Sequence, residues 1–180
     1  MNTLPINTLI DDPVAGFNAD TVIQSKLVEI NAPADVVWKV LTDLSNYGLW
    51  NPYCVRAESA LTLGAPVHMM ISSYMEPGSL VAQCEYVCDI TPNRLLAWAL
   101  PNSETWPYPS RRDQHINPTG THSCTYYSTN AYLGQNGIHA YRFTQPWMTR
   151  AINDTAGALK IRSETLAAST RILTTTHVQQ

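Results

Sequence analysis

Several familiar signals are missing from this sequence of 180 residues. It contains no Gly-rich phosphate loop, no G-x-S-x-G elbow and no H-E-x-x-H pair, so the common routes to phosphoryl transfer, serine hydrolysis and zinc hydrolysis have no foothold. Eleven Lys and Arg stand against fourteen Asp and Glu, a net charge of −3, and no basic stripe marks a nucleic-acid surface. No apolar run approaches the ~20 residues that a membrane helix needs. The opening MNTLPINTLIDDP has neither a positive n-region nor a long apolar core, so no secretory signal is expected and the expected address is cytoplasmic. Phenylalanine is nearly absent, with two residues against nine tyrosines and five tryptophans. Aromatic surface here comes with a polar handle, which suits ligand recognition and half-buried sheet positions alike.

Cysteine is sparse and its spacing carries no chemistry. Cys84 and Cys88 lie four residues apart in a strand-like run, which is roughly 13 Å at ~3.3 Å per residue, too far for one zinc ion or a disulfide. All four cysteines, Cys54, Cys84, Cys88 and Cys124, are expected to be free thiols. The five histidines never pair at helical ligand spacing. His115 and His122 flank one hairpin and could meet across it, but strand histidines usually face solvent, so no metal is expected. No cofactor is implied.

What is present is one domain's worth of chain, 44% apolar, enough to bury a core or enclose a cavity. Residues 1–20 hold Pro5, Asp11-Asp12-Pro13 and Gly16 with no sustained period, an irregular arm. Ile23 to Ile30 reads as a strand. Asn31 and Pro33 then offer a cap and a first helical turn, and Val36, Val37, Val40, Leu41 and Leu44 repeat on one helical face. A second short helix, Leu44 to Leu49, ends at Trp50-Asn51-Pro52. Strand-like runs come next over Tyr53–Leu63, Val67–Tyr74, Leu80–Ile90, Arg94–Leu100, Arg111–Asn117 and Thr121–Leu133, separated by turns such as Glu76-Pro77-Gly78-Ser79 and Asn117-Pro118-Thr119-Gly120. In the Leu80–Ile90 run, Ala82, Cys84, Tyr86, Cys88 and Ile90 share one face. Gln83, Glu85 and Asp89 lie on the other, with Val81 and Val87, so one side is expected dry and one wet. Leu96, Trp98 and Leu100 share a face. The segment Pro101–Pro109, PNSETWPYP, is a loop that either folds over a sheet edge or covers a pocket mouth. Pro146 is expected to open a long helix to about Ser169, with Met148, Ile152, Thr155, Leu159 and Leu166 on one face. Gly157 inside it costs about 1 kcal/mol relative to Ala, which close approach to the sheet or room for a bound molecule would explain. A frayed tail, 171–180, closes the chain.

Ala32-Pro33, Val36-Val37-Trp38, Val40-Leu41-Thr42-Asp43, then Tyr47 and Trp50-Asn51-Pro52, resemble the opening of the START-like, or SRPBCC, superfamily, which includes polyketide cyclases and birch-allergen-like proteins. The element order resembles theirs over roughly residues 22–168. The resemblance implies an α+β helix-grip fold over about 21–170: a curved antiparallel sheet of about six or seven strands, two short helices after the first, and an internal cavity between the sheet and the last helix. It further implies that the Pro101–Pro109 region borders the entrance.

Placed on that frame, Gln114 and Arg112 project polar groups into the pocket, or, with the strand register one residue off, face water. On the strand after the turn, alignment with related proteins from Gly120-Thr121 turns Thr125 and Tyr127 inward, whereas hydrophobic weighting chooses Tyr126 and Tyr132; Tyr127 is preferred. The expected ligand-binding set is Trp50, Tyr53, Trp98, Trp106, Gln114, Met148, Ile152 and Thr155, with Trp50 and Trp106 near the mouth. The expected partner is a small hydrophobic or aromatic molecule, held by a monomer or homodimer acting as a carrier or ligand-binding domain. The alternative is a polyketide cyclase or aromatase-like enzyme, without metal, performing aldol closure or dehydration. There Arg112 would polarise a carbonyl, Tyr127 donate a proton and Asn130 assist. The Val67–Tyr74 strand departs from the cyclase pattern, carrying only His68 as a basic side chain. A protein-interaction module using the outer sheet face is a third reading that no residue favours.

Overall fold

Ser25 explains how the chain enters its sheet. The computed structural model describes residues 19–104 and 107–177, and the opening strand is split into β1 (Val22–Gln24) and β2 (Val28–Ile30), both paired with the same neighbour, β8 (Ser123–Tyr132). Between them Ser25 N donates to the Ser128 carbonyl at 2.9 Å, and the Ser25 hydroxyl accepts from Ser128 N at 2.9 Å. A side-chain oxygen thus replaces the ladder carbonyl where the strand bends, and the Ser128 N–H keeps a partner.

Helix α1 (Ala34–Thr42) comes next, with Pro33 as its N-cap residue and no side-chain cap. Val36 N and Val37 N donate instead to the Pro33 carbonyl, at 3.1 and 3.2 Å. Its inward residues Val37, Val40 and Leu41 are those that the period selects. A 3-10 turn, Leu44–Leu49, leads to β3 (Cys54–Glu58), β4 (Pro66–Ser72), β5 (Leu80–Thr91), β6 (Leu95–Leu100) and β7 (Ser110–Gly120). The eight strands form one sheet in the order β1-β8-β7-β6-β5-β4-β3, antiparallel throughout, with β2 also on β8. The eighth strand arises only because the opening strand is divided. With the long C-terminal helix α2 (Gly137–His177), this is the helix-grip fold.

The last helix starts nine residues before Pro146 and runs on to His177, beyond both expected ends. Gly137 sets its start, because a Cβ there would lie 2.6 Å from the Tyr132 carbonyl oxygen. Proline survives inside the helix because Arg142, whose carbonyl it leaves without a donor, and Pro146 itself both lie on the exposed side, where water can serve. At ~1.5 Å per residue the helix is about 60 Å long. Its buried stripe is Met148, Ala151, Ile152, Thr155, Ala156, Leu159, Ser163 and Ala167, a helical period of apolar and small residues. Against it stand Ile116, Tyr126, Val37 and Leu41, forming a dry core at one end of the grip. Lys160 fixes that end: its ammonium donates to Glu164 Oε1 at 2.8 Å and to the Glu29 carbonyl at 2.5 Å, and Glu164 Oε1 also accepts from Asn31 N at 2.8 Å.

Among the described residues no helix is long and apolar enough to cross a membrane. The arm expected over 1–20 lies outside the described residues except for Ala19 and Asp20, which belong to a short 3-10 turn.

Among the described residues a Cβ on Gly157 would meet nothing within 4 Å outside its own helix backbone, and the residue does not line the cavity described below. Neither close approach to the sheet nor room for a bound molecule accounts for it. Gly157→Ala is therefore expected to stabilise the fold by about 0.5–1 kcal/mol, read as a rise in denaturation midpoint with unchanged m value; a loss of stability would show an unseen constraint at that turn.

A candidate ligand cavity between sheet and helix

The two ends of the grip are filled differently. Beyond Met148 toward the N-terminus of α2, the sheet and helix enclose a cavity of about 660 Å³. One wall is helical: Ala140, Phe143, Thr144, Trp147 and Met148. The facing wall is the sheet, with Met69 and Ile71 of β4, Gln83 and Glu85 of β5, Trp98 and Leu100 of β6, Arg112 and Gln114 of β7, and Asn130 and Tyr132 of β8. Tyr47, Asn51 and Tyr53 close the floor side, and Tyr108 reaches in from the 101–109 loop. Phe143 lines the space yet is 65% exposed, which places it at the opening. The loop is pinned to the start of α2: Leu133 N donates to the Pro109 carbonyl at 2.8 Å and Asn136 Nδ2 to the Pro107 carbonyl at 3.3 Å.

Cross-strand pairing sets the sheet wall. Trp98, Arg112 and Asn130 are register partners in one row, and Leu96, Gln114 and Ser128 form the next. All six are buried, so of the two registers open to β7 the structure has the one with Arg112 and Gln114 facing inward. On β8 the inward residues are Cys124, Tyr126, Ser128, Asn130 and Tyr132. Tyr127 is on the opposite face, stacked on His115 with ring centroids 4.5 Å apart, and cannot act in the cavity. The register slips between Pro118 and Gly120, where Thr119 is the extra residue. One bulged residue inverts the parity of every position counted from the turn, so hydrophobic weighting succeeds where counting fails. His115 pairs with Tyr127 and His122 sits in the turn, so the two histidines do not face each other.

Of the other residues singled out from the sequence, Tyr53, Trp98, Arg112, Gln114, Asn130 and Met148 line the cavity. Ile152 and Thr155 do not; they are buried in the filled half of the grip, where the Thr155 hydroxyl donates to the Ala151 carbonyl at 2.9 Å. Trp50 packs edge-on against Tyr47, centroids 5.1 Å apart, and is not part of the wall. Trp106 lies outside the described residues. The Trp50-Asn51-Pro52 motif is a corner: Asn51 Oδ1 accepts from Tyr53 N at 3.0 Å and Cys54 N at 2.9 Å, and the Tyr47 hydroxyl donates to the Leu41 carbonyl at 2.7 Å.

Glu85 is the cavity residue that the sequence conceals. Alternation groups it with Gln83 on a wet face, yet this is the concave face, because Val87 on it is fully buried and Glu85 is 8% exposed. A bulge at Cys88 shifts parity again, and Cys88 joins Ala97 and Ala99 in a small separate cluster. The signal that could have exposed Glu85 is Val87 two residues away on the same face.

The charges of the cavity are unevenly matched. Arg112 is 8% exposed, with its guanidinium carbon 5.3 Å from the centre of the Tyr53 ring, a cation–π contact. Among the described residues its Nε has no hydrogen-bond partner, nor has the Gln114 Nε2 or the Trp147 Nε1. Gln114 Oε1 accepts from the Tyr126 hydroxyl at 3.2 Å. Burial drives the Glu85 carboxyl up to about 7, against the opposing pull of Arg112 and of the Gln83 amide, which donates to Glu85 Oε1. The Tyr53 hydroxyl is pushed well above its ordinary value by burial, partly offset by Arg112, and Tyr132 up to about 12 by burial. Near neutral pH, Glu85 is therefore the cavity carboxyl that changes charge.

The Glu85 proton couples stability to pH. A carboxyl whose proton is held more tightly in the folded chain stabilises the fold below its ordinary value of 4.5, and that contribution is lost as pH rises through about 7. Between about pH 4 and about pH 8, Glu85→Gln is expected to gain about 3 kcal/mol on the wild type. Urea melts of both proteins across that range measure it, and parallel curves would show that Glu85 is not desolvated.

A family model described as polyketide cyclase / dehydrase and lipid transport matches residues 30–74, which hold the α1 helix and the Trp50-Asn51-Pro52 corner. No curated protein sequence matches the chain. Among solved structures, the ZhuI aromatase/cyclase from Streptomyces sp. R1128 aligns with a TM-score of 0.63 and 16% identity over 79% of this chain and 93% of that one. A START superfamily protein from Mycobacterium smegmatis aligns at 0.60 and 17% identity, covering 81% and 98%. A point mutant of norcoclaurine synthase from Thalictrum flavum, in complex with a transition state analogue, aligns at 0.57 and 17% identity, covering 79% and 92%. At these identities the likeness is one of fold. Eight antiparallel strands gripping a long C-terminal helix give this chain the fold that the aromatase/cyclase and the START superfamily protein share, with the polyketide cyclase / dehydrase and lipid transport match confined to its opening part.

Proposed function

We propose that the protein binds a small aromatic or polyketide-like molecule in the cavity between β4–β8 and the first turns of α2. The observation that carries this reading is the make-up of the cavity wall. Trp98, Tyr53, Tyr132 and Trp147 offer aromatic surface, while Arg112, Gln114 and Asn130 set polar side chains into the same wall. Ligand sites characteristically combine mostly apolar walls with a few placed polar groups, and a molecule with ring surface and oxygen acceptors matches both. Carriage or sensing needs nothing further.

A specific observation favours a second reading, catalysis of the aldol or dehydration type. Glu85 sits in the wall with its carboxyl at about 7, close to the working pH that a general base needs. Arg112, whose charge acts on Glu85, would polarise a ligand carbonyl while Glu85 takes the α-proton and returns it on ring closure or loss of water. Asn130, the register partner of Arg112, can hold the same oxygen. The aromatase/cyclase likeness of the fold supports this reading without deciding it.

Two measurements separate the possibilities. Titration with 2-naphthol should quench tryptophan fluorescence saturably, and Ala140→Phe, which adds a ring to the helical wall, should weaken binding by tenfold or more, about 1.4 kcal/mol, while the protein still melts cooperatively. Unchanged binding in Ala140→Phe would remove the cavity as the site. For catalysis, deuterium exchange at the central carbon of 1-phenyl-1,3-butanedione should be accelerated, with a rate that rises as pH increases through about 7 and is lost in Glu85→Gln. Exchange no faster than in buffer would leave binding as the function.

A further inference from the structure

Arg112 is the most demanding group in this molecule. It is 8% exposed and borders the cavity. Among the described residues no carboxylate lies within 4 Å of it: the ion pairs are Arg111 with Asp89 and Asp113, His115 with Asp113, and Lys160 with Glu164. Its neighbours are the face of the Tyr53 ring, the Tyr126 hydroxyl and, farther off, Glu85. A ring face and a phenol are weak substitutes for an anion, and an isolated buried cation is costly unless something in the site compensates it. Arg111, one residue earlier but on the outer face, has two carboxylates within reach although it is more exposed. The cation that most needs a counter-charge thus has no contact anion, while its outward neighbour has two.

Resting on the cavity-binding reading above, we infer that the ligand is an anion: a ring system bearing a carboxylate, or an equally acidic oxygen, seated on the Arg112 guanidinium. The fork of guanidinium donors matches two carboxylate oxygens, and the aromatic wall beside it takes the ring. Glu85 is then a competitor. When ionised it acts on the same cation from within the cavity wall, so it opposes a second negative charge there.

Titration near pH 8 with 2-naphthoate and 2-naphthamide, which share ring and shape and differ in charge, tests this on the full chain. The expected result is that naphthoate binds at least tenfold tighter than naphthamide. Arg112→Gln should bring the two affinities together with the fold intact by circular dichroism, and Arg112→Lys should restore part of the preference. Glu85→Gln, by removing the competing charge, should raise the ratio of naphthoate to naphthamide affinity severalfold. Equal affinities in the wild type overturn the anion inference and leave the cavity reading standing. A preference for naphthoate that survives Arg112→Gln overturns the role of Arg112. If neither compound binds and 2-naphthol also fails, the cavity reading falls and the inference with it. Should Arg112→Gln unfold the protein, the Glu85→Gln comparison decides alone: naphthoate and naphthamide moving together overturns the proposal.

Discussion

The close seat of α2 on the concave sheet, at Ala151, Ile152, Thr155, Ala156 and Leu159, is the contact on which the rest of the structure depends. These residues are all essentially buried, and two alanines among them let the helix axis approach. Interiors pack to nearly crystalline density, so where the helix lies close, the side chains of β7, β8 and α1 fill the space completely. Toward Gly137 the side chains of the same 41-residue helix and those of the sheet no longer meet, and the cavity is the space left between them.

What lines such a remainder is decided strand by strand. Each residue that turns inward there does so because its neighbours two positions away are held in the core: Val87 carries Glu85 and Gln83 with it, and Ile116 carries Gln114 and Arg112. A short anchoring stretch of apolar residues therefore brings ionisable groups into a low-dielectric space. The result is a carboxyl that keeps its proton to about 7 and, in the same wall, a guanidinium without a contact anion among the described residues. Burial opposes both charges. The polarity of the cavity is in that sense imposed by the core at its far end.

The Tyr47-Trp50-Asn51-Pro52 corner has a different role from the one that aromatic composition suggests. Asn51 uses its carbonyl oxygen to cap two backbone donors at the start of β3, and Trp50 braces Tyr47. The motif is recognisable because the turn from the 3-10 segment into the sheet requires those atoms, and the floor of the cavity benefits from its rigidity. A motif can thus identify a fold without marking where its chemistry occurs.

Much was legible in the sequence by itself. The order of elements, the apolar face of α1, the shared face of Leu96, Trp98 and Leu100, and the turn signals are all local, since period and turn chemistry are properties of neighbouring residues. So was the inward projection of Gln114, once the frame was recognised. Three things were decided only by tertiary structure. Thr119 and Cys88 bulge, and each inverts strand parity across itself, which turned Tyr127 outward and placed Glu85 inside; whether a residue bulges depends on its partner strand, which the local sequence does not contain. Pro146 lies within α2 because Arg142 faces water, a fact about the helix's orientation. The boundary between filled core and cavity, which separates Met148 from Ile152 on one helical stripe, depends on how far the sheet curves away, and curvature belongs to all eight strands together.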